Sequence, residues 1–212
     1  MNNKRWEIVV KIVFFGAIWG IIEATLGYAL HLLPALIAGS LMFPLVMFIL
    51  YRAYQSIGSR KAIMFVGMVA ILIKATNLFL PMLPPAKTIN PMIAMFLQSL
   101  LVFAVIPILT SDKPLNKVSA IAFVSVTWRL GMVGYYLFNA VTNGFVDFRI
   151  ASFDPAFSFI VIEGLISAAL AIVLLFATNQ IKVMDKINRL RINPVVSTVL
   201  LTIAVFLTLV KF

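Results

Sequence analysis

The chain contains no cysteine and a single histidine among its 212 residues. The first absence excludes disulfides, thiolate catalysis and Cys-ligated metal, and the second excludes a His-rich metal site. Acidic residues are scarce too, at 7 against 17 Lys and Arg. No Ser/His/Asp pattern, HExxH, glycine-rich phosphate loop or acid-rich diphosphate motif occurs. The expectation is a protein that uses no cofactor or metal, catalyses no reaction and hydrolyses no ATP itself.

What the chain has in excess is apolar surface: 63% of its residues are hydrophobic and the mean hydropathy is +1.09. A soluble domain has no use for so much, so an all-α, polytopic membrane bundle is expected. Seven apolar segments are predicted at 8–32, 35–51, 61–80, 91–110, 117–140, 156–178 and 194–211, each close to the roughly 20 residues that span a bilayer. Pro34 closes the first hairpin, Pro81 to Pro85 end the third segment, and Asn90-Pro91 start the fourth. The connections are short, so residues 1–212 form one integral membrane domain. The seventh segment is short, which makes six to seven transmembrane helices. The first run continues past signal-peptide length without a small-residue cleavage site and reads as retained.

A net charge of +10 would suggest nucleic acid in a soluble protein. Here its distribution gives a different reason. Twelve of the 17 Lys and Arg fall at the N-terminus and in the even-numbered loops, among them Lys182, Lys186, Arg189 and Arg191. Only Lys87, Arg149 and Lys211 fall on the opposite side. By the positive-inside rule the N-terminus is cytoplasmic, the basic loops set topology, and nucleic acid is not a partner. The location expected is the plasma membrane of a bacterium or archaeon.

Two bases and two acids lie inside the segments: Lys74, Arg129, Glu23 and Glu163. Charge in lipid is expensive and faces a cavity or a partner. Glu23, Lys74, Gln98 and Glu163 each fall about 9–12 Å below the outer surface, at 1.5 Å per residue. They form either a structural ion-pair network or the wall of an outward-opening pocket, and at least three of the four charges are expected to border it. The ligand-binding candidates are Trp19, Glu23, Lys74, Asn77, Gln98, Trp128, Arg129 and Glu163. Phe145, Phe148 and Phe153, in the aromatic loop before the sixth segment, form a lid or lie on the headgroups. Ile22-Glu23-Ala24 and Ile162-Glu163-Gly164 begin two locally similar stretches with the glutamate at the same place.

The first segment carries two stripes at a spacing of four, which puts each on one helix face. Gly16, Gly20 and Ala24 make a small-residue ridge that either packs inside the bundle or docks on another membrane protein. Trp19, Glu23, Gly27 and His31 make a polar and aromatic stripe about 60° away.

Small size, near-total embedding, a cytoplasmic N-terminus, an outward polar pocket and the ridge Gly16-xxx-Gly20-xxx-Ala24 together resemble one family. The chain is similar to the substrate-binding S components of energy-coupling factor (ECF) vitamin transporters. The resemblance implies high-affinity binding of a vitamin or similar small molecule from outside. It also implies docking through the ridge on a transmembrane coupling subunit, with two ATPase subunits supplying the energy. The alternatives are an autonomous secondary transporter coupled to protons through Glu23 or Glu163, and an intramembrane enzyme using the two glutamates.

Overall fold

The computed structural model describes residues 3–30, 35–180 and 192–210. His31, Pro34, the basic residues Lys182 to Arg191 and Lys211 lie outside the described residues. Among the described residues every regular element is helical. The helices are α1 (Asn3–Leu30), α2 (Ala35–Ile57), α3 (Arg60–Ala75, tightened to a 3-10 turn at Thr76–Phe79), α4 (Ala86–Leu109) and α5 (Pro114–Asn143). A composite α6 follows, made of Phe153–Phe157, a π-helical stretch Ser158–Ile162, and Glu163–Gln180; α7 is Pro194–Leu209.

The first six are long and apolar enough to cross a membrane, and the chain is an all-α polytopic bundle. The 16 residues of α7 rise only about 24 Å, short of a hydrocarbon core of ~30 Å. α7 lies along α1, where the Ser197 hydroxyl donates to the Val10 carbonyl at 3.0 Å.

Several boundaries differ from the sequence reading, each for a local reason. α4 starts at Ala86 instead of Asn90-Pro91, because the amides of Lys87 and Thr88 bond back to the Pro84 and Pro85 carbonyls at 2.9 Å. Pro91 then falls in the second turn and deprives only the Lys87 carbonyl of its helical donor. Pro107 does the same to the Phe103 carbonyl near the other end of α4. There Arg60 supplies the missing donor: its Nε bonds Phe103 O at 2.6 Å and its guanidinium lies 4.2 Å from the Phe103 ring centre. α5 runs on to Asn143 and stops at Gly144, whose φ of +68° is the left-handed conformation that ends helices and favours glycine.

The core is knit by Trp19, Phe43, Met47, Val66, Val102, Val124 and Trp128. α1 packs on α3 and α7, α2 on α6, and α3, α4, α5 and α6 follow one another round the bundle. The small-residue ridge is consumed in this packing. A Cβ on Gly16 would stand 2.6 Å from the Val69 Cβ, and one on Gly20 would stand 2.8 Å from the Ile73 Cδ1, both on α3. Ala24 is buried as well. Of the two alternatives for the ridge, packing inside the bundle is the one seen at Gly16 and Gly20. Their missing side chains let α1 and α3 of the same chain approach, which is what small residues do in apolar bundles where tight packing replaces the hydrophobic effect.

Candidate functional site

The up-and-down connectivity puts the C-terminal ends of α1, α3 and α5 and the N-terminal ends of α2, α4 and α6 at one end of the bundle. A cavity of about 380 Å³ opens there. Its α1 wall is the stripe Trp19, Glu23 and Gly27; α4 contributes Asn90, Met95 and Gln98; α5 contributes Trp128, Met132 and Tyr136; α6 contributes Phe159 and Glu163. Met42 and Val46 of α2 fill the remaining side. Lys87 and Phe145 stand exposed at the mouth, with Asp147 and Arg149 just inside.

The four intramembrane charges divide into two on the wall and two behind it. Glu23 and Glu163 border the cavity; Lys74 and Arg129 do not. The expectation that at least three of the four would line it is corrected, and the reason lies in pairing. Lys74, 4% exposed, donates its Nζ to Glu23 Oε1 at 3.1 Å and is thereby held behind that carboxylate. Gly27, one turn on from Glu23, leaves room for the carboxylate: a Cβ there would come within 3.3 Å of Glu23 Cδ.

Arg129 is completely buried. Its two terminal nitrogens donate to Ser125 O and Ser167 Oγ, each at 2.7 Å, and the guanidinium lies 4.5 Å from the Trp128 ring centre. Ser125 Oγ in turn donates to Gly164 O at 2.7 Å, and Ser167 Oγ to Glu163 O at 2.7 Å. Two of these bonds, Arg129 to Ser167 and Ser125 to Gly164, cross from α5 to α6 and tie the helices together beside the cavity. Those donated by the Arg129 guanidinium are charge-assisted, a kind worth roughly 1.5–3 kcal/mol each.

Glu163 differs from every other buried charge here. It is 5% exposed and lines the cavity, yet among the described residues its carboxylate has no ion pair or hydrogen bond. The guanidinium groups of Arg129 and Arg149 are the nearest compensating charges, acting without direct contact. Glu163 also follows directly on the π-helical stretch Ser158–Ile162. Such wide turns are uncommon and recur at functional sites, because the extra residue re-aims the side chains that follow.

The aromatic walls are ordered. Trp128 stacks on Phe43 at 6.5 Å and meets the Phe159 ring edge-on at 6.0 Å. The indole N–H groups of Trp19 and Trp128 are buried without an acceptor among the described residues. Asn77, a ligand-binding candidate, sits in the 3-10 turn after α3, buried and not among the residues that line the cavity. Of the lid candidates only Phe145 reaches the cavity. Phe148 lies beside the Arg149 guanidinium at 4.4 Å and Phe153 stacks on Phe157 at 5.8 Å, and neither lines the cavity.

Asp147 and Arg149 were missed by the sequence reading. They pair at 3.2 Å, and Arg149 also donates to the Tyr136 hydroxyl at 3.3 Å, which ties the loop to α5. Their signal was visible as an acid and a base two residues apart in a loop otherwise rich in phenylalanine. The chain matches no family model, no curated protein and no solved structure.

Proposed function

We propose that the protein is the membrane-embedded binding subunit of an uptake system for a small organic molecule. The observation that carries this reading is the Glu163 carboxylate, unpaired among the described residues, on the wall of a cavity lined in larger part by aromatic and apolar side chains. A buried carboxylate with no hydrogen-bond partner is costly in low dielectric, and a donor in the cavity that meets it recovers that cost. The volume lies at the small end of the range for ligand pockets, which begins at roughly 300 Å³.

In this reading the basic ends of the helices are cytoplasmic, the cavity opens to the outside of a bacterial or archaeal plasma membrane, and energy comes from a separate coupling subunit with ATPases. That is the arrangement of the S components the sequence resembles, with vitamin-like ligands. Any such docking would use a surface other than Gly16 and Gly20, which are spent on α3.

The test begins with purification in mild detergent and native mass spectrometry. A small molecule is expected to travel with the protein at one per chain, and the Ala94→Trp variant, which fills the cavity wall, is expected to lose it. Retention of the same molecule by Ala94→Trp would remove the cavity from the argument. Orientation is checked by labelling: a cysteine at Gln55 is expected to react only from the cytoplasm and one at Lys87 only from outside. Both positions are exposed.

A second reading is favoured by the same residue. A carboxylate free of partners beside a π-helical turn suits proton coupling, and Glu23, held by Lys74, does not. Under that reading uptake into vesicles lacking any ATPase follows a proton gradient and is abolished in Glu163→Gln.

A further inference from the structure

The charges around the cavity limit what can occupy it. Among the described residues every cation near the inner wall is already engaged by the protein, and Lys87, which has no such partner, stands exposed at the mouth. Lys74 is bonded to Glu23, Arg149 to Asp147 and the Tyr136 hydroxyl, and Arg129 to Ser125 and Ser167 behind the wall. Two of the three acids on the wall, Glu23 and Asp147, are engaged by those cations as well. Of the charges on the inner wall, what remains presented to the interior is the Glu163 carboxylate, an acceptor with no donor among the described residues, on a wall that also carries the rings of Trp128 and Phe159. An anionic ligand would find no uncommitted cation on the inner wall and would have to approach that carboxylate. A ligand bearing N–H donors and positive charge would complete it, and charge-assisted bonds to a carboxylate in low dielectric are the stronger kind. Aromatic faces also attract cations through their quadrupole.

We propose that the cavity takes a flat, ring-bearing cation of the amidinium or protonated-amine class, whose N–H donors meet Glu163 while its ring packs against Trp128 and Phe159. This rests on the cavity being a ligand site, as proposed above. Its small volume restricts the occupant to about one or two rings.

Three probes of nearly identical shape and different charge test the charge rule: benzamidine (cationic at neutral pH), benzamide (neutral) and benzoate (anionic). The chain has three tryptophans, of which Trp6 is exposed near the N-terminus. In a Trp6→Phe background the remaining indoles, Trp19 and Trp128, both line the cavity and report binding by their fluorescence. Saturation-transfer NMR against empty micelles gives a second, independent readout.

Benzamidine is expected to bind at least tenfold more tightly than benzamide, with benzoate weakest. Glu163→Gln should erase the preference for benzamidine while leaving benzamide unchanged. Equal binding of benzamidine and benzamide, or preferred binding of benzoate, overturns the cation assignment while leaving the cavity as a ligand site. Binding of all three that survives Ala94→Trp, or no binding of any, overturns the site and the cation assignment together. Should Glu163→Gln fail to fold, the ranking of the three probes on the Trp6→Phe protein still decides.

Discussion

Glu23 and Glu163 occupy equivalent places in two similar stretches, lie on facing elements of one cavity, and have opposite fates. Glu23 meets Lys74 from α3 at 3.1 Å, and that pairing is possible because Gly16 and Gly20 bring α1 and α3 together lower down. Glu163 follows a π-helical stretch on α6, and the arginine behind it is bound instead to the Ser125 carbonyl and to the Ser167 hydroxyl. One carboxylate has been absorbed into the scaffold; the other is left for whatever enters. A buried charge is therefore informative about function only after its partner has been identified, since the same residue in the same kind of helix can serve either end.

The comparison can be broken most forcefully on the Glu23 side. Lys74→Met leaves Glu23 without its cation, and removing one partner of a buried pair typically costs 3–5 kcal/mol. Glu23→Gln leaves Lys74 stranded and is expected to be similarly harmful. The double variant Glu23→Gln with Lys74→Met should recover most of the loss, because no isolated charge remains. Thermal unfolding in detergent, followed by size-exclusion fluorescence, measures all three. If the single variants unfold at the temperature of the unaltered protein, the pair is not structural and Glu23 returns to the list of groups available to a ligand.

The next effect is smaller and tests what brings the pair together. Gly16→Leu must displace Val69, and overpacking of this kind costs roughly 1–3 kcal/mol. A fall in melting temperature is expected in the isolated protein, with no other subunit present. Unaltered stability combined with loss of a copurifying membrane subunit would reinstate the ridge as a docking surface.

How much of this was legible in the sequence follows the physics of each feature. Lipid forces every backbone group into a helix, so hydropathy alone located all six spanning helices, and the seventh was rightly distinguished as short. The stripe Trp19, Glu23 and Gly27 was legible because helical spacing puts those residues on one face whatever they pack against. The ridge left packing and docking both open because small residues allow close approach without naming the neighbour. The absence of Asn77 from the cavity wall was not legible because nothing in the sequence marks the tightening of the chain to a 3-10 turn at that point. The separation of Lys74 and Arg129 from the cavity could not be read, since it depends on which helices adjoin. The π-helical turn before Glu163 has no sequence signature in this chain, as Ser158-Phe-Ile-Val-Ile162 reads like any apolar helix.

The smallest expected effect belongs to the other carboxylate and sharpens the comparison most. Glu163→Gln removes a charge that no side chain touches directly, while the glutamine keeps its length and can still face the cavity. Arg129 retains its bonds to Ser125 and Ser167, and Arg149 retains Asp147. What is lost is only longer-range attraction to the two guanidinium groups, and what is gained is relief from burying a charge, so the two oppose each other. The net change in stability of the empty protein is expected to stay within about 1 kcal/mol, in contrast to the 3–5 kcal/mol for Lys74→Met. The measurement is the same melting experiment, run side by side on Glu163→Gln and Glu23→Gln after exhaustive washing to remove any copurified ligand. Equal destabilisation by the two would mean that Glu163 is as much a part of the scaffold as Glu23, and the distinction between a structural and an available carboxylate would fall.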